Sequence, residues 1–96
     1  MRVDFHPEAL QELAASVDFY NERVAGLGDE FLDFVESFVR QIESDPFRAA
    51  RYEAGTHRYV LQRFPFTIIY RNQTERILIV AFAHPSRRPA FWRHRK

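Results

Sequence analysis

The chain has 96 residues, 46% hydrophobic with ten Phe and no Cys, which allows one core, leaves no room for separate substrate and cofactor domains, and excludes disulfides and thiolate chemistry. MRVDFHPEAL holds no apolar signal core and the longest apolar run is Ile77 to Ala83, too short for a membrane span, so a cytoplasmic protein with no membrane partner is expected. The net charge of +1 conceals two halves of opposite sign: residues 1–50 carry eleven acids against four Arg, and residues 51–96 carry two acids against nine Arg and one Lys, which marks the second half as the partner face.

Arg2 to Phe5 reads as a short opening strand, and Pro7 suits the first turn of a helix, where its missing N–H costs nothing. Leu10, Leu13, Ala14, Val17, Tyr20 and Val24 give that helix an apolar stripe, with Glu8, Glu12, Asp18 and Glu22 turned to water. Gly26 and Gly28 break the run. Asp29 and Glu30 then place negative charge at the start of a second helix, whose stripe is Phe31, Phe34, Val35, Phe38, Val39 and Ile42 and which Pro46 stops. So short a connection predicts an antiparallel helical hairpin.

From Thr56 the period becomes that of strands, in HRYVLQRF, FTIIYR and RILIVAFAH. Turn-like residues at Pro65 and at Asn72 to Glu75 make a three-strand meander the simplest reading. The strand from Arg76 to His84 is apolar nearly throughout and is expected inside the sheet with both faces covered. A basic tail, PSRRPAFWRHRK, ends the chain. The expected fold is α+β, a single domain over residues 1–96 in the order βααβββ, with the helical hairpin on one face of a mainly antiparallel sheet.

Candidate chemistry is sparse. The four His lack metal-ligand spacing, no Gly-rich phosphate loop or nucleophile elbow occurs, and the helix carboxylates have the spacing of a solvated face. No cofactor, metal or small-molecule substrate is therefore expected. His84, at the end of an apolar strand beside Arg87 and Arg88, is either an acid or base or a strand-end His satisfied locally. Strand alternation brings some of Arg58, Arg63 and Arg71 onto the open sheet face. Phe91 and Trp92 are either a stacking platform among bases or the plug that pins the tail, packing being the safer reading for Trp92.

The segment HRYVLQRFPFTIIYR, a short turn, RILIVAFAH and then a basic tail with Arg87-Arg88 and the pair Phe91-Trp92 resemble the C-terminal half of RelE/ParE toxins. The opening strand, the acidic hairpin ending near Asp45-Pro46 and Phe64-Pro65-Phe66 leading into Ile68-Ile69-Tyr70-Arg71 extend the resemblance over nearly the whole chain. It implies the toxin of a bacterial type II toxin-antitoxin system, of the kind associated with plasmid stabilisation, and a cognate antitoxin protein that masks its active surface. RelE-like members cut messenger RNA on the ribosome, whereas ParE-like members inhibit DNA gyrase without catalysis. Arg58 keeps one basic position of the RelE-like site. Val60, Thr67 and Phe91 stand where Lys, Arg and Tyr are expected, and cannot clamp a phosphate or move a proton.

With a sequence pI near 8.2, this favours the ParE-like branch and a chain that is no enzyme. The alternative is a ribosome-dependent endonuclease acting on mRNA through Arg58, His84, Arg87 and Arg88, and a benign interaction module of the same fold is a third reading. The expected partner-binding residues are Arg58, Arg63, Arg71, Arg87, Arg88, Phe91, Trp92 and Arg93.

Overall fold

In the computed structural model, which describes residues 2–96, β1 is Arg2–Phe5 and α1 is Pro7–Arg23. His6 caps the helix: its Nδ1 accepts the Glu8 N–H at 3.1 Å, satisfying a donor that has no partner within the helix. Ala9 and Leu13 are the buried residues of α1, with Val17 and Tyr20 half-buried. The stripe is thus rotated from the expected one, and Leu10 is 52% and Val24 59% exposed. Apolar residues lie nearly all round α1, so its rotation is set by what it packs on and not by its period.

Gly26, at φ +85°, makes the left-handed turn into α2, Leu27–Ser44. Gly28 therefore lies inside the first turn of α2 and does not precede the helix. A Cβ there would sit 2.1 Å from the Val17 carbonyl oxygen and 2.7 Å from the Asn21 side chain, so the close crossing of the two helices depends on a bare Cα. Asn21 completes the corner by accepting the Gly28 N–H at 2.8 Å. Phe31, Val35, Phe38 and Ile42 form the buried stripe of α2 as expected, while Phe34 is largely exposed.

The sheet contains the expected strands and one more. Ala50–Tyr52 form β2, Thr56–Val60 β3, Thr67–Asn72 β4 and Arg76–Ala83 β5, in the spatial order β1-β5-β4-β3-β2. The short strand β2 carries no alternating pattern of its own and pairs antiparallel along β3, Arg51 opposite His57. Neighbouring strands are antiparallel except β1 and β5, which run parallel with Val3 opposite Ile77. Strand β5 lies inside the sheet, as its apolar run predicts. Its register against β4 slips once: Ile69 faces Ala81 and Tyr70 faces Ile79, leaving Val80 as an extra residue. Hence Val80 and Ala81 both point away from the helices, into a cluster with Ile69, Leu78 and Trp92. Ile68, Tyr70, Ile77, Ile79 and Phe82 point towards the helices and make the main core with Leu13, Phe31, Val35 and Ile42.

Tyr70 ties the segment after α2 to this core. Its hydroxyl donates to the Pro46 carbonyl at 2.9 Å and accepts the Ala49 N–H at 3.4 Å. Burial pushes its phenol above the ordinary value, with the Ala49 N–H opposing the rise. A raised phenol contributes stability that is present below about pH 10 and lost as pH climbs through the folded-state value. Tyr70→Phe is expected to cost about 1–2 kcal/mol at neutral pH in urea unfolding. The gap between wild type and variant should then close above about pH 10; a gap that stays constant would show that burial of the phenol is not linked to folding.

Candidate functional site

Alternation along the strands sends Arg58, Thr67, Ile69, Leu78, Val80 and Ala83 to the sheet face that the helices leave uncovered. Residues 84–95 cross that face in tight turns, closed by the Arg87 N–H to the His84 carbonyl at 3.0 Å and the Arg95 N–H to the Trp92 carbonyl at 2.9 Å. The apolar patch left by the register slip receives Trp92, which is 2% exposed. The packing alternative therefore describes Trp92, and its indole is not presented at the surface.

Between tail and strands runs a groove of about 270 Å³, lined by Tyr52, Arg58, Thr67, Ile69, Ala83, His84, Arg87, Arg88, Phe91 and Trp92, with Pro85, Pro89 and Ala90 at its tail wall. It brings together six of the nine residues singled out from the sequence. Arg71 is on the same sheet face, its guanidinium 5.9 Å from the Trp92 ring, with one terminal nitrogen buried and lacking a hydrogen-bond partner. Arg63 is not on the open face: it lies in the β3–β4 connection and pairs with Glu30 of α2 at 3.2 Å. Arg93 does not line the groove and pairs with Glu53 at 3.3 Å.

The ion pairs trim the charge contrast between the halves. Besides Arg63 and Arg93, Arg76 meets Asp4 at 3.1 Å and Arg87 meets Glu12 at 3.4 Å. The hydrogen bond from Arg76, reinforced by Arg2, holds the Asp4 carboxyl below its usual range against the opposing effect of burial. In the groove, Arg58 and Arg88 have no acidic partner among the described residues. Arg58 instead stacks over Tyr52, 4.5 Å from the ring centroid. The groove is thus positive through two guanidiniums free to meet a carboxylate or phosphate.

His84 is held by its own turn. The Ser86 N–H and hydroxyl lie 3.1 and 2.8 Å from Nδ1, and since a backbone N–H can only donate, Nδ1 accepts. The ring is thus satisfied within its own turn, as the strand-end alternative describes. Val60, across from Thr67 in the ladder, is exposed at the end of β3. Phe91 lies against the guanidiniums of Arg87 and Arg95, 3.9 and 5.0 Å from its centroid. The arrangement offers charge and shape to a partner but no proton-transfer group at Val60, Thr67 or Phe91.

Sequence reasoning missed Tyr52, Glu12 and Arg95. Tyr52 lies on the strand that had no pattern, and Glu12 was assigned to water. The contact between Glu12 and Arg95 spans 83 residues, and no local signal announces it.

A helical hairpin on one face of a mainly antiparallel sheet, with a basic groove under an Arg-rich tail on the other, is the arrangement that the resemblance to the RelE/ParE superfamily implies. Residues 3–89 match the family described as ParE toxin of type II toxin-antitoxin system, parDE. The chain belongs to that family. A solved structure described as the chromosomal ParDE TA system from P. aeruginosa contains a similar fold, with TM-score 0.66, 21% identity, and 88% of this chain and 95% of that chain covered. No curated protein matches the sequence significantly. Among the described residues, no helix is long and apolar enough to cross a membrane.

Proposed function

We propose that this toxin arrests growth by binding DNA gyrase through the groove and tail, without catalysis of its own, and that a cognate antitoxin neutralises it by covering the same surface. The observation that carries the reading is the pairing of free charge with missing chemistry. Arg58 and Arg88 stand without acidic partners, while Val60, Thr67 and Phe91 stand where the resemblance to RelE-like endonucleases leads one to expect Lys, Arg and Tyr. Arginines and aromatics at the rim and a concave apolar floor suit an acidic, amphipathic partner segment.

Expressed alone in a bacterial host, the chain should stop growth, and co-expression of the open reading frame beside its gene should restore it. Normal growth with abundant folded protein would remove the toxin reading and leave a benign interaction module. The Arg58→Ala, Arg88→Ala double variant should also permit growth. Both side chains lie on the exposed face, where truncation changes stability by only about 0.5 kcal/mol each, so that loss would report a partner contact.

A further inference from the structure

The end of the chain is tied to its first helix by a nearly covered ion pair. The Arg95 side chain is 5% exposed. It donates to Glu12 Oε1 at 2.9 Å and Oε2 at 2.8 Å, and to the Val80 carbonyl at 3.0 Å. Its Nε also lies 2.8 Å from Glu8 Oε2, an ion contact in which the N–H is not aimed at the carboxylate. Burial alone would pull the guanidinium down, but the hydrogen bonds and charge of Glu12, with the charge of Glu8 beside it, hold it above its usual value. Glu12 Oε1 accepts the Phe82 N–H as well, at 3.1 Å.

The backbone explains why these groups meet. Strand β1 follows β5 only as far as Phe5 opposite Ile79, and the His6 N–H closes the ladder on the Ile79 carbonyl at 2.9 Å. Beyond that point Arg95 and Glu12 meet the Val80 carbonyl and the Phe82 N–H, taking the place of a strand neighbour at the slipped register. The same guanidinium lies 5.0 Å from the Phe91 ring centroid. One charged pair therefore closes the sheet edge and fixes the tail that walls the groove. Arg95 lies outside the residues matched to the family, 3–89.

We propose that Glu12 and Arg95 are the positioning pair of this toxin: they hold the C-terminal tail across the outer sheet face, and the groove presents its binding surface only while they do. The proposal rests on the toxin reading for its effect on growth, and on geometry alone for its effect on the tail.

Trp92 is the only Trp and reports tail seating directly through acrylamide quenching of its fluorescence. The test variant is Glu12→Gln with Arg95→Met, which leaves neither charge buried without its partner. It should retain the far-ultraviolet spectrum and a cooperative melt while Trp92 quenching rises several-fold. Growth arrest should weaken on the order of tenfold in toxin dose, as a surface seated a tenth of the time binds tenfold more weakly. Arg95→Lys, which keeps the charge without the fork, should fall between. Ile42→Val, which loosens the opposite core without touching the tail, should leave both quenching and arrest as in wild type.

Unchanged quenching in the double variant would overturn the proposal, as would full arrest with Trp92 exposed, or loss of arrest in Ile42→Val equal to that in the double variant. If the double variant does not fold, the same readings on Arg95→Lys decide. If wild-type protein arrests nothing, the toxin reading fails, and quenching still tests whether the pair holds the tail.

Discussion

Deleting residues 89–96 is expected to abolish growth arrest and at the same time to remove most of the stability of the fold. Trp92 covers the cluster of Ile69, Leu78, Val80 and Ala81, and emptying a site of that size costs about 3–5 kcal/mol. Losing Arg95 leaves the largely covered Glu12 carboxylate with only its longer contact to the half-exposed Arg87, a further cost of up to about 3–5 kcal/mol, the range for removing one partner of a buried pair. Against the roughly 5–15 kcal/mol that holds a domain together, the sum is ruinous. Urea unfolding should show a midpoint near zero denaturant or no cooperative transition. A deletion that melts like wild type would show that the tail lies on the sheet without supporting it. Loss of toxicity on truncation is therefore no evidence for a partner contact, and the exposed Arg58 and Arg88 serve that purpose better.

Gly28→Ala should be the most damaging single-methyl change in the helical hairpin. Alanine is favoured over glycine inside a helix by about 1 kcal/mol. Here its Cβ would meet the Val17 carbonyl at 2.1 Å, and because that contact is with backbone, the helices must part. Overpacking of this kind costs about 3 kcal/mol, so the clash outweighs the propensity. The net loss of about 2 kcal/mol should lower the melting temperature by about 10 °C or more in a domain of this size. A melting temperature equal to or above that of wild type would mean that the helices separate freely and that their spacing does not support the core.

Much of the fold was legible because local signals agreed with the global arrangement. Pro7 began α1, Pro46 ended α2, the stripe Phe31, Val35, Phe38 and Ile42 faced the core, and the apolar run from Ile77 lay inside the sheet. Three features were not legible, each for a physical reason. With Leu10, Ala14 and Phe19 added to Ala9, Leu13 and Tyr20, α1 has no single apolar face, and only packing against α2 and β5 chooses one. Gly28 reads as a helix breaker unless the carbonyl pressing on it is known. Strand β2 exists because β3 offers an edge, not because ARY favours extension.

The site divides in the same way. Alternation from Tyr59, which stacks on Phe38 of α2 in the core, places Arg58 on the opposite face, and the tail lengthens the basic surface that composition suggested. The sequence did not show that Arg63 and Arg93 are engaged by Glu30 and Glu53. Nor did it show that Glu12 lies under Arg95. Those pairs join residues far apart in the chain, and charge counting treats each member as free.

The most direct test of a binding toxin acting on gyrase uses one preparation in two assays. Purified protein is added to gyrase supercoiling of relaxed plasmid DNA and, in parallel, to a translating extract whose messenger RNA is read by primer extension. Supercoiling should be lost while the RNA stays intact, and His84→Ala should behave as wild type, since its Nδ1 is engaged by Ser86. Intact supercoiling with RNA cut only during translation, and cutting abolished by His84→Ala or Arg88→Ala in a folded protein, would contradict the account and make the groove a nuclease site.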